Sequence, residues 1–336
     1  MDWLKTFVYG AQVVTAPLSI QEAPIEPLSL PPTVITIDGG GIRGLYTIKI
    51  MQAVEGRLNG TISEHAQVLA GTSTGSILSF GLAENKSLEA MENLYKNHSS
   101  EIFYHTTWEM IETGDGLYGP KYGPTHFETL LQENFSQRTL RDIENHHVIA
   151  YSTNITTQTV KIFDSKKAQK DPEEDETIWF AIRSSAAAPP YFPLTQWKGY
   201  ALGDGGLIVN NPSTATAIQL KKHYGWEVLQ NLKMVSFGTG TYPTGMRYED
   251  AHNNGVLQWV VPISDMIMKS SSNMYNQWTE DLLSADQLLR VNGSLPTNIG
   301  LDDYSPQSIL AIETAALTYI KDHPDIIDRA AKMLGG

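Results

Sequence analysis

The sequence predicts an α/β fold built on a mainly parallel sheet with helices on both faces. Three observations carry this. Runs rich in β-branched residues, which read as buried strands, alternate with stretches whose apolar residues recur every three or four positions. Glycine-bounded turns join strand to helix. The 336 residues are 41% hydrophobic, an ordinary globular composition, with no apolar run near the roughly 18 residues of a membrane-spanning helix.

The elements follow in order. Residues 1–14 place Trp3, Leu4, Phe7, Val8, Ala11 and Val14 at near-helical spacing, and Pro17, Pro24, Pro27, Pro31 and Pro32 break the chain after them. This N-terminal segment, 1–32, is read as a unit apart from the domain 33–336. Asp2, Gly10 and Gln12 argue against a signal peptide. A helix docked on the body and a membrane- or partner-binding segment both remain open.

Thr33–Ile37 is a β-branched strand, and Leu45, Ile48, Met51, Val54 and Leu58 mark the helix after it. Residues 67–70 form a second strand and 77–82 a buried helix. Further strands are expected at 147–151, 159–163 and Lys233–Phe237. Helices are expected at Leu88–Asn97, 125–134, 177–187 and 212–224, as one or two long helices over 252–290, and at 308–321. The mixed charges of 166–176 read as a solvated loop. The helical region 252–336 is read as able to form a cap.

Composition narrows the function. Lys plus Arg number 24 against 37 for Asp plus Glu, a formal charge of -13. Such a chain is a poor nucleic-acid binder and is not drawn to anionic membranes by long-range attraction. The absence of cysteine excludes disulfides, Cys-ligated zinc and a thiol nucleophile.

Three glycine-rich segments carry chemistry. Gly71-Thr72-Ser73-Thr74-Gly75 is G-x-S-x-G between a strand and a helix, the setting of a nucleophile elbow. There the Thr74 N–H opens a helix and can face an oxyanion. Asp38-Gly39-Gly40-Gly41-Ile42-Arg43-Gly44 exposes several backbone N–H groups at a helix start. It suits either an oxyanion or a phosphate, and Gly39, Gly41 and Gly44 match G-x-G-x-x-G. A dinucleotide is disfavoured because Asp38 would face its pyrophosphate and the next strand ends without a ribose-binding acid. Gly203-Asp204-Gly205-Gly206 is a turn whose aspartate can also serve as a base for a serine within reach.

In this order the three segments resemble the patatin-like phospholipases, whose pattern is D-G-G-G-x-[RK]-G, then G-x-S-x-G, then D-G-[GA]. The stretch from Tyr118 to Tyr122, the Ser184-Ser-Ala-Ala-Ala-Pro-Pro-Tyr-Phe-Pro segment and Ser236-Phe-Gly-Thr-Gly-Thr are similar to plant patatin motifs, so the likeness spans about 33–310. The resemblance implies a three-layer α/β/α sandwich and a lipid acyl hydrolase with a Ser-Asp dyad. Ser73 would be the nucleophile and Asp204 its base. Gly39, Gly40, Gly41 and Thr74 would form the oxyanion hole, with Arg43 at its rim. Gly71, Gly75, Gly205 and Gly206 would support the turns, and 184–193 would line or buttress the site. It implies no cofactor and no catalytic metal.

A Ser-His-Asp triad has weaker support: His223, His252 and His323 follow the serine without an evident partner, and His146-His147 reads as structural. Asn-x-Ser/Thr triplets at Asn59, Asn85, Asn97, Asn134, Asn154 and Asn292 matter only in a secretory pathway. The expected setting is cytoplasmic, acting peripherally on a membrane or micellar lipid. Trp3, Trp108, Trp197 and Trp259 are candidates for contact with it. A homodimer is the default assembly. Two alternatives stay open: a phospholipase effector of antiphage defence switched on by a cyclic nucleotide, with 1–32 receiving the activating ligand or partner, and a non-catalytic lipid-binding or storage protein.

Overall fold

The computed structural model describes residues 32–242 and 246–335, so the reading of the N-terminal segment lies outside the described residues. Eight strands form one sheet: β1 (Thr33–Ile37), β2 (Val68–Thr72), β3 (His147–Asn154), β4 (Thr159–Asp164), β5 (Thr195–Trp197), β6 (Tyr200–Asp204), β7 (Lys233–Phe237) and β8 (Leu288–Val291). The order is β5-β6-β3-β2-β1-β7-β8, with β4 also paired to β3. The β3-β2-β1-β7-β8 run is parallel, while β4, β5 and β6 are antiparallel additions at one side.

The helices of eight or more residues are α1 (Gly44–Glu55), α2 (Thr74–Ala83), α3 (Leu88–Asn97), α4 (Thr125–Phe135), α5 (Ile178–Ser185), α6 (Ser213–Tyr224), α7 (Val256–Leu282), α8 (Pro306–Asp322) and α9 (Pro324–Leu334). Alternate strand residues enter different cores, as the two-residue period of a strand requires. Ile35, Ile37, Leu69, Val148, Val235 and Phe237 join the core beneath α1–α5, α8 and α9. Val34, Val68 and Met234 face α6, and Ala70, Ile149 and Tyr151 face the short helix Gly206–Val209. The result is a helix-sheet-helix sandwich.

Several expectations change. The 252–290 region is one helix, α7, followed by a strand: Leu288–Val291 pairs in parallel with β7 and closes the sheet. Strand β8 belongs to the sheet and α8 packs on α1, so 252–336 is part of the sandwich rather than a cap. The stretch 198–201 contains the tight β5–β6 turn, with Lys198 and Gly199 at positive φ, and Tyr200 already begins a strand. The charged 166–176 stretch is a short helix, Ser165–Lys170, capped by Asp164, followed by a 3-10 turn capped by Asp171.

One feature of the sheet positions the site. Along β3, β2 pairs as far as Thr72 with Tyr151, and β6 takes over with Asp204 against Ser152. Because β4 occupies the other edge of β3 there, the ends of β2 and β6 meet on a shared edge. Residue 73 leaves β2 beside residue 204.

Candidate active site

Ser73 stands between β2 and α2 with φ 54 and ψ -123, a conformation that L residues rarely adopt. The glycines of the motif make this turn sterically feasible. A Cβ on Gly71 would lie 2.0 Å from the Gly75 carbonyl oxygen, and one on Gly75 would lie 2.2 Å from that of Ile37. The turn is locked by hydrogen bonds. The Ser73 N–H donates to Ser185 Oγ at 2.9 Å, and that hydroxyl donates to the Tyr151 carbonyl at 2.6 Å. Ser76 Oγ donates to the Ser73 carbonyl, and Thr72 Oγ1 to that of Val209.

Asp204 ends β6 and is 1% exposed. Its backbone N–H donates to the Ala187 carbonyl, and the Gly205 N–H to that of Ser185. The 184–193 segment therefore buttresses the site as expected. The Gly206 N–H donates to Asp204 Oδ1 at 2.6 Å, while Oδ2 is buried without a hydrogen-bond partner. Burial pushes the Asp204 carboxyl up to about 6, against the Ser73 hydroxyl and the Gly206 N–H, which pull it down. The serine is thus close enough to act on the carboxyl, although no hydrogen bond of standard geometry joins them. A catalytic hydrogen bond is often looser before substrate binds.

The 39–41 loop crosses beside this pair. The Gly39 N–H donates to the Asn210 carbonyl at 3.0 Å, which removes it from the expected donor set. Its carbonyl accepts from Thr239 Oγ1 and Asn210 Nδ2. In a trans peptide the next N–H points the opposite way, so the Gly40 N–H faces away from Thr239. The Gly40 carbonyl in turn accepts from Arg43 Nε at 3.2 Å and from the Arg43 N–H, which orients the Gly41 N–H. The N–H groups of Gly40, Gly41 and Thr74 have no partner among the described residues. Arg43 is 4% exposed, a buried tie rather than a rim residue, with its guanidinium 5.4 Å from the centre of the Tyr242 ring. Just before the loop, Asp38 makes a two-pronged ion pair with Arg290 of β8.

An apolar pocket opens at the serine. Gly41, Ser73, Thr74 and Asp204 form its polar end. Ile77, Ile102, Phe103, Phe127 and Phe192 carry it inward. None of its lining residues is a histidine. His223 does have a partner, at the other end of β3: its Nε2–H donates to Asp164 Oδ2 at 2.6 Å, and His147 Nε2–H donates to Oδ1 at 2.9 Å. These three buried groups are the one set among the described residues with donor atoms close enough for a metal ion. Their mutual hydrogen bonds, the Tyr224 hydroxyl on His147 Nδ1 and the helix cap made by Asp164 already tie them into the fold.

Sequence reasoning missed Arg290, Asn210, Met268 and Leu301. Arg290 lies in a segment read as helix, and its partner Asp38 is 252 residues away. The Asn210-Asn211-Pro212 turn after Gly206 was the available signal for Asn210.

Comparison with known proteins adds four findings. A family model described as patatin-like phospholipase matches residues 35–217. An intracellular phospholipase A2 of Caenorhabditis elegans is 29% identical over 326 residues, which cover 89% of this chain and 29% of the longer nematode protein. Patatin-01 of Solanum tuberosum is 26% identical over 379 residues, covering 99% of this chain and 95% of its own. Among solved structures, VipD from Legionella pneumophila aligns over 93% of this chain and 72% of its own, with a TM-score of 0.48 and 13% identity.

Proposed function

From the chain's membership of the patatin-like phospholipase family, we propose that it is a lipid acyl hydrolase that cleaves carboxyl esters of phospholipids or related glycerolipids through an acyl-enzyme. The observation that carries this reading is the apolar pocket that begins at Ser73 and Asp204 and runs inward between phenylalanines. A fatty acyl chain is the ligand such a pocket fits, with its ester carbonyl left at the polar end.

Ser73 Oγ attacks the ester carbon as Asp204 takes its proton. The oxyanion that forms is met by the N–H groups of Gly40, Gly41 and Thr74, with the start of α2 adding its dipole. Asp204 then gives the proton to the departing alcohol. In the second half it takes a proton from water, whose oxygen attacks the acyl-enzyme, and returns that proton to Ser73 Oγ as the acyl–oxygen bond breaks and the fatty acid leaves. A carboxyl that titrates near 6 suits both directions of transfer better than an ordinary aspartate. No helix among the described residues is long and apolar enough to cross a membrane.

The test is labelling with a long-chain organophosphonate followed by peptide mapping. Stoichiometric modification of Ser73, blocked in Asp204→Asn and matched by loss of fluorogenic ester hydrolysis, is expected. Hydrolysis that survives in Ser73→Ala overturns the reading.

A further inference from the structure

We propose that the segment 104–118 is the face by which this protein settles on a lipid surface of no net charge, a surface such as zwitterionic phosphatidylcholine. The inference rests on the hydrolase reading above and adds where the substrate aggregate is met.

The segment is unusual in what it exposes. Tyr104, Trp108, Met110, Ile111, Leu117 and Tyr118 are 42%, 72%, 39%, 66%, 65% and 87% exposed. Single exposed apolar residues need no explanation, but a contiguous set does. Among the described residues nothing covers Trp108 or Ile111. Trp and Tyr are also the side chains that partition best at a membrane-water boundary, with an apolar body and a polar tip.

Its position ties it to the substrate path. Ile102 and Phe103, immediately before it, line the pocket that contains Ser73. Phe103 stacks on Tyr304 with ring centres 6.0 Å apart. Immediately after it, the Lys121 N–H donates to the Pro190 carbonyl at 2.9 Å and the Tyr122 N–H to that of Tyr191 at 2.8 Å. Tyr191 is itself a pocket residue. Both ends of the exposed segment are therefore fastened to residues that line the pocket. A lipid that leaves the bilayer beside Trp108 meets a segment whose chain neighbours Ile102 and Phe103 line the pocket.

Charge selects among lipid surfaces. The segment holds Glu109, Glu112 and Asp115 and no lysine or arginine, within a chain of formal charge -13. An anionic leaflet would repel it, and binding must come from apolar burial. Of the four tryptophans considered from sequence, Trp108 is the one placed for this. Trp197 is engaged by Lys161 at 3.4 Å from its ring centre and by Glu176, Trp259 is half-buried, and Trp3 lies outside the described residues.

Full-length Ser73→Ala protein, which cannot consume the lipid, is titrated with phosphatidylcholine vesicles and followed by sedimentation and by quenching with brominated lipid. Binding is expected, with little change from low to high salt. Adding Trp108→Ser and Ile111→Ser is expected to weaken it by roughly tenfold or more, from the apolar area lost. In the active background the same two changes leave turnover of a soluble short-chain ester unchanged and lower turnover of vesicle lipid in parallel with binding. If that variant folds poorly, Leu117→Ser with Tyr118→Ser on the other side of the segment gives the same readout. Undiminished vesicle binding in both variants overturns the proposal, as does binding that requires anionic lipid and fades with salt. A dimer that dissociates in the variants also overturns it, since a second copy would then cover the face. Failure of the unmodified protein to cleave the soluble ester sinks the hydrolase reading instead, and vesicle binding by the Ser73→Ala protein is unaffected by that result.

Discussion

Asp164 and Asp204 are both buried beside β3, and they titrate in opposite directions. Asp164 sits opposite Ile149 and Asp204 opposite Ser152. Burial pushes both carboxyls up. At Asp164 the His147 and His223 rings, with their hydrogen bonds, outweigh burial and hold the carboxyl well below its usual range. At Asp204 only a serine hydroxyl and one backbone N–H oppose burial, and the carboxyl stays near 6. One aspartate has a full set of partners and serves the fold. The other keeps Oδ2 unpartnered at the mouth of a pocket, which is a cost to stability that an active site can explain.

The same substitution at both positions separates the two roles. On the proposed mechanism Asp204→Asn removes the base, and ester turnover is expected to fall by ~10²–10⁴-fold, measured as kcat/KM on a soluble ester. Asp164→Asn should leave turnover per folded molecule unchanged. An equal loss of turnover at both positions would break the comparison. Stability should show the reverse ranking. Asp164→Asn leaves both imidazoles facing an amide rather than a carboxylate, and a cost of about 3–5 kcal/mol is expected in urea unfolding. Because the folded carboxyl of Asp164 is held low, its contribution is complete above the unfolded pKa of about 4 and is lost as pH falls below that. The difference between Asp164→Asn and the unmodified protein should therefore narrow in acid.

Asp204 gives the opposite sign. A folded carboxyl near 6 binds its proton more tightly than the unfolded chain does. Its favourable contribution is present at low pH and is lost as pH rises through about 6. Asp204→Asn should thus be more stable than the unmodified protein at pH 8, by roughly 2–3 kcal/mol, and nearly equal to it in acid. The activity of the unmodified protein should rise across the same interval as the base ionises. Unfolding curves for the two proteins that run parallel at every pH would remove the link between the burial of Asp204 and its chemistry.

Much of this was readable from the chain because the chemistry is local. Gly71, Gly75, Ser73 and Asp204 occupy short turns whose geometry their own neighbours determine. The strands that read clearly, such as Thr33–Ile37, are buried on both faces and so are continuous apolar runs. The short edge strands at Thr195–Trp197 and Leu288–Val291 carry too few residues to show a period. Long-range pairings were also hidden. No local pattern tells that the carbonyl of Asn210 takes the N–H of Gly39, or that Arg290 meets Asp38. The glycine loop expected beside Ser73 lies there, while the tie that takes the Gly39 N–H was not foreseen.

Ser185 offers the finest test of how the elbow is held. Its hydroxyl accepts the Ser73 N–H and donates to the Tyr151 carbonyl, so it joins the strained residue to the strand edge where β2 and β6 meet. Removing it leaves one buried donor and one buried acceptor without partners, a cost of about 1–3 kcal/mol. It also frees Ser73 to relax from its positive φ. Ser185→Ala is expected to lower kcat by roughly tenfold with little change in KM, since on the proposed mechanism its hydroxyl holds the attacking serine and does not bind the acyl chain. A rise in KM with kcat intact would instead place Ser185 on the substrate path. Ser185→Thr keeps the hydroxyl and should recover most of kcat. If it recovers thermal stability but not kcat, the hydroxyl supports the fold and the orientation of Ser73 is set elsewhere in the turn.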